Sequence, residues 1–321
     1  MFQTWLTEAL GIKYPLIQGA MMWLARAELA AAVSNAGALG ILTAAIFPTG
    51  EAFRQEIRKL RQMTDKPFAV NIALMPARHP IDYSSYIGIA LEEGVSIIET
   101  AGRSPEPYVK LIRQGKVKHL HKVARLRDAL TAERLGADAV TVVGFEAGGH
   151  PGMEDVGSLV LLPRAVDLLK IPVIGAGGFW DGRGLVAALA LGAQGVQMGT
   201  RFMLSRECPV HPKVTELMLQ AKVTDTLMVM RSINNAGRVL RTDYALKVAE
   251  IEQKGATLEE LLPWVSGAKT GLCLDTGGAE GILYCGQAIG SIDSAPPVRD
   301  IVAGIMQEAA RVAGRIGGQK D

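Results

Sequence analysis

Eight short apolar runs, each followed by a helical pattern, constrain this chain more than any other feature. They cover residues 15–18, 39–43, 67–72, 96–100, 117–122, 139–143, 172–176 and 195–198, and their spacing of roughly 20–35 residues is the period of βα units. The runs are continuously apolar rather than alternating, as parallel strands covered on both faces require. Between them, apolar residues recur at i, i+3 and i+4 over residues 25–34, 51–63, 83–92, 105–114, 126–135, 159–169 and 183–191, the spacing of one helix face. An open doubly wound sheet is the competing architecture. Eight regular units, with no G-x-G-x-x-G after the first run, predict instead closure into an α/β (β/α)8 TIM barrel.

After Arg201 the rhythm breaks. Helical patterns over residues 214–221, 244–254 and 257–264 follow without a further βα period. They predict a smaller helical insertion, residues 208–274, lying as a lid over one mouth of a barrel built from residues 1–207 and 275–321. A final helix over residues 298–316 is expected to return to the barrel wall.

Composition narrows the partners. With 49% hydrophobic and 21% charged residues the chain can bury a large core. A net charge of +2 and no long basic block argue against nucleic acid. Cys208, Cys273 and Cys285 lie far apart without a C-x-x-C pair, so neither a disulfide framework nor a metal site is expected. Residues 1–14 lack the basic and apolar regions of a secretory signal. The most apolar tract, residues 185–198, is interrupted by Gly192, Gln194, Gly195 and Gln197 and is too short to span a bilayer. A cytoplasmic protein with a small-molecule substrate and no membrane partner is expected, its assembly left open to a homodimer.

Catalytic and binding groups of a barrel cluster at the C-terminal ends of its strands. That rule selects residues 19–22, Asn71, Lys122, residues 146–150, residues 175–178 and Gly199-Thr200. Gly175-Ala176-Gly177-Gly178 and Met198-Gly199-Thr200 follow the last two runs, the usual phosphate site of barrels. Glycine there lets backbone N–H groups reach a phosphate, and Thr200 adds a hydroxyl donor. Serving tight turns alone is the plainer role for these glycines. Glu146-Ala147-Gly148-Gly149-His150 puts an imidazole on a Gly-rich loop, where it suits proton transfer; a single structural hydrogen bond is the plainer alternative. His119 and His121 share one strand face but lack a carboxylate or cysteine at ligand spacing, so packing is expected of them. His79 and His211, each before a proline, read as loop residues. Cys208 reads as structural, and Met21-Met22-Trp23 as an apolar cover for a flat ring.

Five motifs together resemble the nitronate monooxygenase family, formerly the 2-nitropropane dioxygenases. They are Pro15-Leu16-Ile17-Gln18-Gly19-Ala20-Met21, Asp65-Lys66-Pro67-Phe68-Ala69-Val70-Asn71, Glu146-Ala147-Gly148-Gly149-His150, Gly175-Ala176-Gly177-Gly178 and Gln197-Met198-Gly199-Thr200-Arg201-Phe202. FMN-dependent enoyl-ACP reductases and an NADH:quinone reductase subgroup share these motifs. Met22-Trp23, residues 27–30 and Phe145 are closest to the latter. The resemblance implies FMN at the phosphate site. It places Gly19, Ala20, Met21 and Asn71 along the ring and ribityl chain and Lys122 at the flavin's polar edge. Gly178, Gly199 and Thr200 would hold the phosphate, with Glu146, Gly149, Gly177 and Met198 as further cofactor-binding positions and Gly286-Gln287 reaching back toward the flavin. His150 matches the catalytic histidine. Ala20 and Ala69 stand where relatives commonly carry glycine, and Cys285 where a small residue is usual, which bears on the shape of the substrate cavity.

The resemblance implies oxidation of alkyl nitronates or nitroalkanes with dioxygen. The alternative is an NAD(P)H-dependent reductase of quinones or enoyl thioesters, with NAD(P)H visiting the flavin transiently as electron donor. A flavin-binding module without turnover is the alternative of another class.

Overall fold

The computed structural model describes residues 2–75 and 81–318, so His79 lies outside the described residues. Eight parallel strands form the sheet: β1 (Leu16–Gln18), β2 (Gly40–Thr43), β3 (Phe68–Leu74), β4 (Ile97–Gly102), β5 (Lys118–Val123), β6 (Ala139–Val143), β7 (Val173–Ala176) and β8 (Val196–Met198). Their spatial order is β1-β8-β7-β6-β5-β4-β3-β2, and a parallel bridge between Ile17 and Leu39 closes the ring. The closing seam is thin, and the Gln18 side chain reinforces it by accepting the Ile41 N–H at 2.9 Å. The (β/α)8 barrel expected from the eight runs is the fold observed.

Helices follow the strands in turn. They are α1 (Trp5–Leu10), α2 (Ala27–Asn35), α3 (Gly50–Met63), α4 (Tyr83–Glu92), α5 (Val109–Gln114), α6 (Leu126–Arg134), α7 (Ser158–Leu168), α8 (Gly182–Ala190) and α9 (Thr200–Met203). After them come α10 (Pro212–Leu219), α11 (Asp243–Gln253), α12 (Leu258–Val265), α13 (Gly267–Thr276) and α14 (Val298–Ile316). Helix α5 begins later than the apolar spacing suggests. Glu106 precedes Pro107, which disfavours helical backbone there, and Tyr108 N–H closes a turn onto the Pro105 carbonyl at 2.8 Å. The long α14 packs on α8 and α2, on the barrel wall.

Strand alternation sorts side chains into an inner and an outer set. Ile17, Leu39, Ile41, Ala69, Ile97, Leu120, Ala139 and Ile174 fill the lower interior together with Leu6 and Leu10 of α1. Helix α1 thus plugs the N-terminal mouth with apolar side chains. Two residues further along the strands the same inner face turns polar, at Thr43, Asn71, Glu99, Lys122 and Thr141.

The segment 208–274, expected to be helical, also contains an antiparallel hairpin of β9 (Thr226–Val229) and β10 (Gly237–Leu240). Four-residue runs are too short to show a period, and left-handed backbone at Met230 and Asn234 turns the chain between them. The hairpin packs with α11 and α12 around Val229, Val239, Val248, Leu261 and Ile282, a small core of its own. Among the described residues, no helix is long and apolar enough to cross a membrane.

Candidate functional site

The polar layer at the upper end of the barrel is centred on Glu99, which is fully buried. Its Oε1 accepts from Asn71 Nδ2 at 2.7 Å and from Lys122 Nζ at 3.1 Å, and its Oε2 from Gln197 Nε2 at 2.6 Å. Three donors converging on two oxygens are what a carboxylate accepts. Lys122 is partly open to the mouth, at 21% side-chain exposure against 0% for Glu99. Among the described residues, the Thr43 and Thr141 hydroxyls and Gln197 Oε1 are buried without a hydrogen-bond partner. Buried polar atoms rarely remain unpaired without a reason, and these lie on the interior faces of β2, β6 and β8. The set suits a flat polar ligand laid across the interior.

The second half of the site is backbone. Gly177 and Gly178 have φ of +91° and +76°, where a side chain would be strained. Among the described residues, the N–H groups of Gly178, Gly199 and Thr200 donate no backbone hydrogen bond, whereas that of Gly177 faces the Gln197 carbonyl across the β7–β8 pairing. Three free amides at adjacent strand ends, beside a threonine hydroxyl, are the chemistry of an anion cradle. A Cβ on Gly199 would stand 3.9 Å from Met21 Sδ, and one on Gly19 3.6 Å from Gly199 Cα. The first and last strand ends therefore meet at the same lip, with Ala20 and Met21 half-buried beside it.

The C-terminal pair reaches this place from far along the chain. Gly286 donates its N–H to Thr200 Oγ1 at 2.9 Å, and Gln287 donates its own to the Glu146 carbonyl at 2.9 Å. Room for the crossing comes from glycine on both sides. A Cβ on Gly148 would stand 2.6 Å from Gly286 N, and one on Gly286 2.8 Å from the Glu146 carbonyl oxygen.

Two residues expected at the cofactor turn their side chains to other partners. The Glu146 carboxylate accepts from the Ser158 N–H at 2.9 Å and from Ser158 Oγ at 3.1 Å. It caps the start of α7, and its backbone is what faces the crossing. Met198 alternates with Gln197, so its side chain packs in the outer core with Leu16 and Leu29, and only its backbone reaches the mouth.

His150 stands on the loop after β6. It is exposed in area, while the protein packed around it lowers its pKa by desolvation below the usual histidine value. Its ring lies 5.6 Å from that of Tyr284, whose phenol burial pushes up to about 12. The pair thus offers a neutral imidazole and a protonated phenol at neutral pH. Behind the loop, Arg238 N–H donates to the Gly149 carbonyl at 2.7 Å and accepts the Gly149 N–H on its own carbonyl at 3.2 Å. The buried Arg238 guanidinium donates through Nε to the Phe145 carbonyl at 3.1 Å and stacks 4.4 Å above the Phe145 ring.

Trp23 adopts φ of +71°, unusual for a bulky residue. Its indole lies against α13 at Gly271, while Met22 stays 46% exposed. The other candidates are accounted for by packing. His119 Nε2 and His121 Nδ1 both lie 2.8 Å from Thr100 Oγ1, and Cys208 is buried with its thiol pKa pushed well up by desolvation. His211 Nδ1 accepts from Lys213 N–H at the start of α10. No group of three or more His, Cys, Asp or Glu among the described residues could hold a metal.

Sequence reasoning missed Glu99, Gln197, Arg238 and Tyr284. Glu99 was visible as a lone carboxylate inside an apolar strand, because such a group is rarely buried without partners.

Residues 3–308 match the family model described as nitronate monooxygenase. The chain is 32% identical to (3aS,4S,5R,7aS)-5-hydroxy-7a-methyl-1-oxo-octahydro-1H-indene-4-carboxyl-CoA dehydrogenase of Rhodococcus jostii, with 96% of each chain covered. It is 31% identical to a probable nitronate monooxygenase of Staphylococcus saprophyticus, over 78% of this chain and 82% of the relative. Among solved structures, FabK from Thermotoga maritima superposes with a TM-score of 0.93 at 36% identity, covering 100% of both chains.

Proposed function

The chain belongs to the nitronate monooxygenase family, and from that premise we propose that it is an FMN-dependent oxidoreductase that oxidises alkyl nitronates or nitroalkanes with dioxygen. The observation that supports this best is the set of free amides at Gly178, Gly199 and Thr200, at the same end of the barrel as His150. When bound, FMN supplies an electron sink for a stacked anionic substrate and passes the electrons on.

This chain's own residues bind, orient and protonate. The amides of Gly178, Gly199 and Thr200 and the Thr200 hydroxyl would hold the phosphate end, assisted by the Gly286-Gln287 crossing. Gly19, Ala20 and Met21 border the ring, and Asn71, Gln197 and Lys122 meet its polar edge, where a cation favours negative charge. His150, neutral at pH 7, takes the α-proton of a neutral nitroalkane on its free ring nitrogen. Toward a preformed nitronate its ring N–H donates to a nitro oxygen instead. The segment 208–274, tied to the histidine loop through Arg238, serves as the lid that shapes the substrate cavity.

A second reading is favoured by one comparison. The FabK structure and the CoA dehydrogenase match essentially the whole chain, whereas the nitronate monooxygenase relative matches 78% of it. This supports the alternative of NAD(P)H-dependent reduction of an enoyl thioester, with His150 serving the protonation step. Anaerobic mixing separates the two. Bleaching of the flavin by alkyl nitronate and not by NADH or NADPH supports nitronate oxidation; prompt bleaching by a nicotinamide supports the reductase. A protein that binds no FMN contradicts both.

A further inference from the structure

Glu99 is a charge at the centre of a barrel where an apolar residue would fill space at less cost. Burying a carboxylate costs several kcal/mol unless its oxygens are fully paired, and here the pairing draws on three strands: Asn71 of β3, Lys122 of β5 and Gln197 of β8. The pairing has two geometric consequences. Each amide turns its NH2 toward Glu99, so its carbonyl oxygen must point elsewhere, and Gln197 Oε1 is accordingly left buried without a partner among the described residues. Lys122 Nζ is held 3.1 Å from Glu99 Oε1 while its side chain stays partly open to the mouth.

We infer that Glu99 is a positioning residue for the cofactor. It presents the Asn71 and Gln197 carbonyl oxygens as acceptors to the flavin, and it offsets the Lys122 charge so as to limit how far reduced flavin is stabilised. The inference rests on the FMN reading above. Its sign follows from electrostatics. Reduced flavin carries negative charge, the Lys122 ammonium favours it, and the adjacent carboxylate opposes it.

The test is the midpoint potential of bound FMN, measured by dye-coupled reduction of the holoenzyme. Glu99→Gln keeps the shape and removes the charge; it should shift the reduced-to-oxidised equilibrium at least tenfold toward reduced flavin, about 30 mV upward for a two-electron couple. Glu99→Asp, which keeps the charge, should stay near the wild-type potential. A Glu99→Gln protein that binds FMN at an unchanged potential, losing only thermal stability, overturns the inference and leaves the FMN assignment standing. Wild-type protein that binds no FMN overturns the assignment itself. If Glu99→Gln does not fold, Lys122→Gln replaces it: the potential should fall by a similar factor, and an unchanged value overturns the inference.

Discussion

Gly149 and Arg238 exchange both of their backbone hydrogen bonds, at 2.7 and 3.2 Å, although 89 positions separate them (238 − 149). The same arginine grips the loop's other end through Phe145. The hairpin therefore holds the loop that carries His150 from behind, even though that loop is rich in glycine.

Replacing Arg238 should consequently impair turnover more than cofactor binding. Arg238→Ala removes a buried hydrogen-bonding and stacking group, costing roughly 1–3 kcal/mol of stability. We expect kcat to fall by about tenfold or more while FMN affinity changes little. Arg238→Lys should not rescue it, since an ammonium lacks the planar fork. Steady-state kinetics beside an FMN titration check this, and an unaltered kcat in Arg238→Ala would remove the arginine from loop positioning.

His150 should act mainly on substrates that still carry the α-proton. His150→Asn is expected to lower turnover of neutral nitroalkane by roughly 10²–10⁴-fold and to affect preformed nitronate far less. Because burial depresses the imidazole pKa, the proton-accepting form predominates at neutral pH. Turnover of neutral nitroalkane should then stay level as pH falls to about 6.5 and drop only below it. Equal, small losses on both substrates would exclude His150 from proton transfer.

The pair sharing Thr100 gives the fold an acid limit. His119 and His121 are buried neutral, and desolvation lowers both pKa values to about 4. The unfolded chain binds protons at these sites below about 6.5 while the folded protein does not, so stability is complete above about 6.5 and is lost as pH falls from there toward 4. The loss amounts to an order of ~3 kcal/mol for each group. Urea melts between pH 7.5 and 4.5 should show this slope, and His121→Leu should flatten it. A midpoint independent of pH over that range would contradict the neutral, buried assignment.

Much of the barrel was legible because its strands are covered on both faces and so read as unbroken apolar runs. The hairpin was not, since Thr226–Val229 and Gly237–Leu240 are too short for a period to declare itself. The glycine motifs marked in advance the strand ends and the histidine loop where the backbone takes positive φ, because such backbone restricts residue choice. Which face each side chain takes was harder. Met198 turns outward because Gln197 turns inward, and Glu146 is drawn to the start of α7 by Ser158, a partner visible only once the loop is folded. The Glu99 cluster depended on contacts to residues 28, 23 and 98 positions away, which no local pattern encodes.

The central claim is that free amides at the ends of β7 and β8 grip the anionic tail of a flavin. Titrating the apoprotein with FMN and with riboflavin tests it most directly, because the two differ only in the phosphate. Charge-assisted hydrogen bonds contribute roughly 1.5–3 kcal/mol each, so FMN should bind at least about a hundredfold tighter, and Gly178→Val with Thr200→Val should abolish most of that advantage. Equal affinity of the wild-type protein for the two flavins would contradict the account.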